Sequence, residues 1–260
     1  MANRSKEIER VENLIVPVNE AEPFLKALVY GRNGAGKTRV AATAPKPLLL
    51  VDVNEKGTKS IRTYKGVDVM PVRKWEEFIW TYWYLRSGNH KYKSVVIDNW
   101  TNLQNLCIRD VIIKEAEDRD PNRDPKTMSQ RDWGKMAEFL KPEILNYRNL
   151  PMHVIYVAQM RNGKDRNDEA ADDYWVPDMS PGPRAQLLAA GDIIGYVYQK
   201  EVRGVDKRTK KEVKKHEHRM LIGPHEEYIT KNRVDQSLGS VVRNPNLTEI
   251  AELVPTEEDK

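Results

Sequence analysis

Gly31-Arg32-Asn33-Gly34-Ala35-Gly36-Lys37-Thr38 constrains this chain more than any other stretch. It matches G-x-x-x-x-G-K-S/T at every fixed position and follows Leu25 to Tyr30, an apolar run of strand length. Glycines permit a tight loop whose backbone N–H groups turn inward toward phosphate oxygens. A helix starting near Gly36 adds its positive N-terminal end. In this pattern Lys37 reaches the β- and γ-phosphates, and the Thr38 hydroxyl holds Mg²⁺. An accidental glycine-rich turn need not lie between a strand and a helix, as this one does. Residues 31–38 are therefore expected to bind ATP with Mg²⁺.

Further along, short apolar runs alternate with helical spacing. Leu48 to Val53, Val67 to Val72, Val95 to Asp98 and Met152 to Ala158 read as strands. Trp75 to Arg86, Thr101 to Glu117 and Ser129 to Tyr147 read as helices, the last kinked or broken at Pro142. Nearly continuous apolar strands between helices predict an α/β fold, a mostly parallel sheet covered on both faces. Past Gln159 the pattern changes. Residues 161–183 read as a long polar loop. Ile193 to Val202 and His218 to Ile222 read as an antiparallel hairpin with a charged tip, and Tyr228-Ile229 as a last short strand. Asn246 to Leu253 reads as a terminal helix. The organisation expected is an arm over 1–22, one domain over 23–253 and a tail over 254–260. The arm, with Leu14, Ile15, Val16 and Val18 apolar, should lie on the core or on a neighbouring subunit.

Composition narrows the classes. With 260 residues, 39% hydrophobic and 32% charged, the chain can build one substantial core under a heavily solvated surface. Forty-three Lys and Arg against 39 Asp and Glu leave +4, so any basic surface must come from local segregation. The lone Cys107 excludes an internal disulfide framework and suits a reducing cytoplasm. No apolar run approaches the ~18 residues of a membrane span, and no secretion signal is expected.

Phosphate chemistry needs acids as well. Asp98 ends an apolar strand, which would deliver one carboxylate to the sheet edge beside the phosphates, as a Mg²⁺ ligand with Thr38. Residue 99 is Asn, so a general base does not directly follow that acid. The strand after the P-loop helix offers another source: DVNEKGT places Asp52 and Glu55 at or just past its end, where Glu55 could polarise a water. An ordinary turn glutamate is the alternative. Gln159 closes the fifth strand, where its amide could bond the γ-phosphate or its water and report hydrolysis.

This order of motifs, with VAQMR closing the sensor strand, resembles the RecA-type core, in which a Gln leads into a DNA-binding loop. Lys231-Asn232-Arg233 resembles the K-x-R of hexameric DnaB-type helicases, whose Lys and Arg reach a neighbour's γ-phosphate. Most similar is the RecA-core branch of phage single-strand annealing proteins, the phage AAA-domain nucleotide-binding proteins. They share the short arm, YGxxGxGKT, a D-x-E-G-G-T-like segment and a late K-N-R. Residues 52–58 depart from that pattern by one extra residue, which leaves Asn54 and Glu55 as alternatives for the catalytic acid.

The resemblance implies a RecA-like P-loop NTPase core with a C-terminal antiparallel hairpin, and a cytoplasmic phage protein in a bacterial host. It also implies a homo-oligomeric ring or filament, no membrane, and a DNA-stimulated ATPase acting on single-stranded DNA in recombination or annealing. Catalysis would rest on Lys37, Glu55 and Gln159, with Lys231 and Arg233 acting in trans. For DNA, the candidates are Arg161 and the hairpin tip, Lys207, Arg208, Lys210 and Lys211, for which a solvated turn is the competing reading. The loop after Gln159 carries more acids than bases, so it is a poor phosphate binder by itself. Trp80, Trp83 and Tyr84 are expected to serve packing and not base stacking. A non-hydrolysing ATP-bound assembly protein and a small-molecule P-loop kinase remain as rival functions.

Overall fold

The computed structural model describes residues 8, 10–17, 23–122, 124, 127–163, 174–205 and 212–254. Its centre is a ten-stranded sheet in the order β10-β8-β7-β1-β5-β4-β2-β3, with β6 beside β5 and β9 beside β7. Strands β1 (Lys26–Gly31), β2 (Leu48–Val53), β3 (Val67–Val72), β4 (Ser94–Asp98) and β5 (His153–Asn162) pair in parallel. All residues of β1, β2 and β4 are buried, which explains the apolar runs at their centres, with polar residues only toward their ends. The outer strand β3 is half exposed.

One face of the sheet carries α2 (Trp75–Arg86), α3 (Trp100–Cys107, continuing through a π turn into α4, Lys114–Arg119), α5 (Gln130–Arg148) and α6 (Pro181–Ala190). Phe78 stacks on Tyr147 at 4.8 Å within that layer. The other face is covered by two short helices, α1 (Lys37–Ala41) and α7 (Leu247–Ala251). This is the expected α/β fold, a mostly parallel sheet covered on both faces, with antiparallel strands near the C-terminus.

The second half differs from the sequence reading in several places. β5 does not stop at Ala158. It runs to Asn162 and pairs antiparallel with β6 (Trp175–Pro177), so the expected 161–183 loop is partly strand. The apolar run ends because this extension leaves the core, while the backbone pairing continues. The same span ends in α6, hidden in the sequence by Pro181-Gly182-Pro183, although proline suits a helix's first turn. The hairpin strands are longer than expected, β7 (Ile193–Val205) pairing with β8 (Glu212–Leu221) out to Val205 and Glu212.

Tyr228 makes only an isolated bridge to Trp175; the short strand is β9 (Lys231–Asn232), and β10 (Val241–Arg243) was not anticipated. Pro142 does not break α5, because it lies on the solvent side, where water can meet the freed carbonyl. Trp80, Trp83 and Tyr84 are not packed inside: they are 63%, 59% and 47% exposed, while Phe78, Tyr82 and Leu85 fill the inner face of α2. Leu14, Ile15 and Val16 of the arm are also exposed, so this chain's own core does not cover them. No described helix is long and apolar enough to cross a membrane.

Candidate functional site

Parallel register brings the chemical residues to one edge. Gly31 at the end of β1 pairs with Gln159 on β5, Tyr30 with Ala158, Val157 with Asp98, and Asp98 with Asp52. The P-loop, Gly31 to Thr38, folds over this edge. Only glycine fits at its two ends. A Cβ on Gly31 would strike the Val197 carbonyl, and Gly36 has φ 97° with the His218 ring against it. Lys37 is buried and donates from Nζ to the carbonyls of Gly31 and Arg32, both at 3.0 Å. Burial pulls this ammonium below its ordinary pKa, and Asp98 and Glu55 oppose that pull.

Thr38 Oγ1 donates to Asp98 Oδ2 at 2.6 Å. Asp98 is 3% exposed and its pKa is pushed up to about 6, first by burial, with the charges of Glu55 and Asp52 adding to it. A hydroxyl and a buried carboxylate, crowded by further acids, form a hard-oxygen donor pair that a divalent cation would relieve. Mg²⁺ fits this set.

Glu55, not Asn54, faces the site. Asp52, buried at the end of β2, accepts the N–H groups of Glu55 at 2.9 Å and Lys56 at 3.2 Å, which fixes the turn. Asn54 is exposed, with φ 58°. Glu55 Oε1 accepts from the side-chain amides of Asn99, of Asn102 at 3.3 Å and of Gln159 at 3.0 Å. Asn99 caps α3, its Oδ1 taking the Asn102 N–H at 2.8 Å and leaving its amide for Glu55. Gln159 is tied on both sides of its backbone as well, accepting the Asp178 N–H at 2.8 Å and donating to Thr101 Oγ1 at 3.0 Å.

A cavity of about 380 Å³ unites Asn33, Lys37, Thr38, Glu55 and Asp98 with two residues of the hairpin, Gln199 and His218. Gln199 Nε2 donates to the Gly34 carbonyl at 3.0 Å, and His218 Nδ1 donates to the Ala35 carbonyl at 3.1 Å. Asn99, Asn102, Gln199 and His218 were not singled out from the sequence as parts of this site. Only the first two carry a signal there, an N-cap and its third helical position directly after Asp98.

The remaining candidates lie elsewhere. Lys231 pairs with Ile194, at the level of Leu28 on β1, and its Nζ donates to the Leu188 carbonyl at 2.8 Å. Arg233 is exposed and its N–H bonds the Asp192 carbonyl, still further from Gly31 along β1. Neither joins this chain's own phosphate cradle. Arg161 is exposed on the β5 extension. Lys207, Arg208, Lys210 and Lys211 lie outside the described residues.

The family described as "AAA domain" matches residues 24–234. Comparison with curated proteins gave no match. Among solved structures, a chain described as an ATPase domain is 14% identical, with 89% of each chain covered and a TM-score of 0.43.

Proposed function

The chain belongs to the AAA-domain family of P-loop ATPases, and on that premise we propose that it hydrolyses ATP on single-stranded DNA, in phage-type recombination or annealing, as a homo-oligomeric ring or filament. The observation that carries the hydrolytic reading is the placement of Glu55. Three side-chain amides hold one carboxylate oxygen beside Lys37 and the Thr38–Asp98 pair. A carboxylate held in that way is a general base prepared to orient a water and accept its proton. Lys37 can exchange its two loop carbonyls for phosphate oxygens and stabilise the charge that develops there. Thr38 and Asp98 would hold Mg²⁺, which would supply charge neutralisation at the phosphates. Gln159 bonds Glu55 through its side chain and Asp178 through its carbonyl, so a change at the γ-phosphate can pass to the segment after β5.

Assembly is supported by what a single copy leaves uncovered. The arm exposes Leu14 and Ile15 at 78% and 72%, and α2 exposes Trp80 and Trp83. Arg233, exposed and away from its own P-loop, suits contact with a neighbour's nucleotide. Arg161 and the tip residues Lys207, Arg208, Lys210 and Lys211 are the cations proposed for DNA. Phosphate release, measured with and without single-stranded DNA, tests the reading. DNA-stimulated release is expected. Tight ATP binding without release would replace it with an assembly protein, and phosphate transfer to a small acceptor would replace it with a kinase.

A further inference from the structure

β7 offers different chemistry on its two faces. Val197 belongs to the core layer of α1, the helix that carries Lys37 and Thr38, and Gln199 bonds the P-loop on that side. Tyr196 and Tyr198 point to the opposite layer. There Tyr198, Tyr196 and Tyr228 form a stack, with centroids 5.6 Å apart at 13° and 4.0 Å apart at 14°. Tyr196 is buried in the middle, and the outer two rings are half-buried. They line a cavity of about 460 Å³ whose other wall is Arg32 to Ala35 of the P-loop. Arg32 is exposed, and its guanidinium lies 5.7 Å from the centroid of the Trp175 ring. Glu55 and the three amides that hold it do not line this cavity.

Partly open aromatic faces beside an exposed guanidinium are what a nucleobase with its phosphate requires. We propose that this cavity holds a nucleotide unit of single-stranded DNA, with the base stacked on Tyr198 or Tyr228 and the backbone phosphate on Arg32. The proposal rests on the reading above that the chain acts on single strands. A strand is favoured over a free nucleotide because the cations continue. Arg161 pairs with Val176, the neighbour of Trp175 on β6. Arg184 lies close enough to Arg161 to feel its charge, and its Nη1 is buried without a hydrogen-bond partner among the described residues. A series of guanidiniums suits successive phosphates. The same arrangement links strand to nucleotide, since the Arg32 carbonyl also accepts from Lys37 Nζ.

The test uses the full chain and a fluorescent oligothymidylate. Tyr198→Ala and Tyr228→Ala should each weaken strand binding about 5- to 150-fold, the range for loss of one stacked base, while Tyr198→Phe retains it. Affinity for a fluorescent ATP analogue without DNA should stay at the wild-type value, and an oligonucleotide carrying 5-iodouracil should photocrosslink to Tyr198 or Tyr228. If the wild type binds the strand and both alanine variants bind it equally well, the inference fails and the broader reading stands. Absence of strand binding by the wild type overturns both. Loss of analogue binding in the alanine variants would assign the cavity to the base of ATP and overturn the proposal.

Discussion

Lys26 and Lys37 stand at opposite ends of β1, 3% and 9% exposed, and each donates from Nζ to two backbone carbonyls. Their partners differ. Lys26 reaches Leu150 and Met152 at 2.8 and 2.7 Å, residues 124 and 126 positions away, and its own N–H bonds the Asp192 carboxylate at 3.0 Å. Lys37 reaches only its own loop, Gly31 and Arg32, six and five positions back, and borders the cavity that holds Thr38, Glu55 and Asp98. An ammonium that ties distant segments together belongs to the fold. One that satisfies local loop carbonyls can exchange them for a ligand's oxygens without disturbing the core.

The largest effect should come from breaking the second case. Lys37→Ala should reduce ATP turnover to background, with little change in thermal midpoint, because the carbonyls that lose a partner, those of Gly31 and Arg32, belong to its own loop, beside a cavity that water can enter once the side chain is gone. Unchanged turnover in the folded variant would remove Lys37 from the phosphate site. Next in size, Arg233→Ala should lower turnover about 10³-fold, the lower end of the range for loss of an arginine finger. ATP binding to the separate subunit should barely change. Mixing Arg233→Ala with Lys37→Ala subunits should restore part of the activity at interfaces that join an intact P-loop to an intact Arg233. Co-assembly without recovery would exclude action across an interface.

Glu55→Gln should cost about 10²- to 10⁴-fold in turnover, with ATP affinity retained. It keeps the turn that Asp52 fixes, because those bonds go to the backbone of Glu55 and Lys56. Near-normal turnover would demote Glu55 to a turn residue. At the other end of β1, Lys26→Met should reverse the pattern. The Met152 carbonyl loses its donor at about 1–3 kcal/mol, while the Leu150 carbonyl keeps the Met152 N–H at 2.8 Å, so the thermal midpoint should fall by about 2–12 °C. Turnover per folded molecule should hold, and a loss of turnover at an unchanged midpoint would contradict the division between the two ends.

The same pair of lysines shows what was legible. Lys37 was readable because the glycines around it and the strand before it state a local geometry. Asp98 was readable as a carboxylate closing an apolar strand. Lys26 was not: its partners, Leu150 and Met152, carry no signal of their own. The parallel strands β1, β2 and β4 were legible because burial on both faces makes their centres apolar without alternation. The antiparallel half alternates polar and apolar residues, so β6, β10 and the full length of β7 and β8 were missed or shortened. Gln199 and His218 reach the P-loop only through that pairing. In the sequence Asn99 marks only the absence of a base after Asp98; in the fold its amide helps hold Glu55 from another strand.

The smallest effect concerns His153, which lies beside Lys26. Its Nδ1 accepts the Leu25 N–H at 3.0 Å, so that nitrogen must stay unprotonated in the fold. Burial first, and then Lys26 and Lys93, bring its pKa down to about 4. In the unfolded chain the ring titrates near ~6.5. Between those values the unfolded state binds more protons, so stability should decline as pH falls from about 6.5 and level off below about 4. The ring is partly exposed and solvent screens it, so the loss is on the order of 1 kcal/mol, or about 2–4 °C in thermal midpoint. His153→Gln should flatten that slope; an unaltered slope would assign it to other groups. Lys26→Met removes a neighbouring positive charge and should move the lower end of the step to higher pH. Lys37→Ala, at the far end of the strand, should leave the step where it is. If both variants move it alike, the two ends of β1 are electrostatically one region, and the separation of a structural from a functional lysine fails.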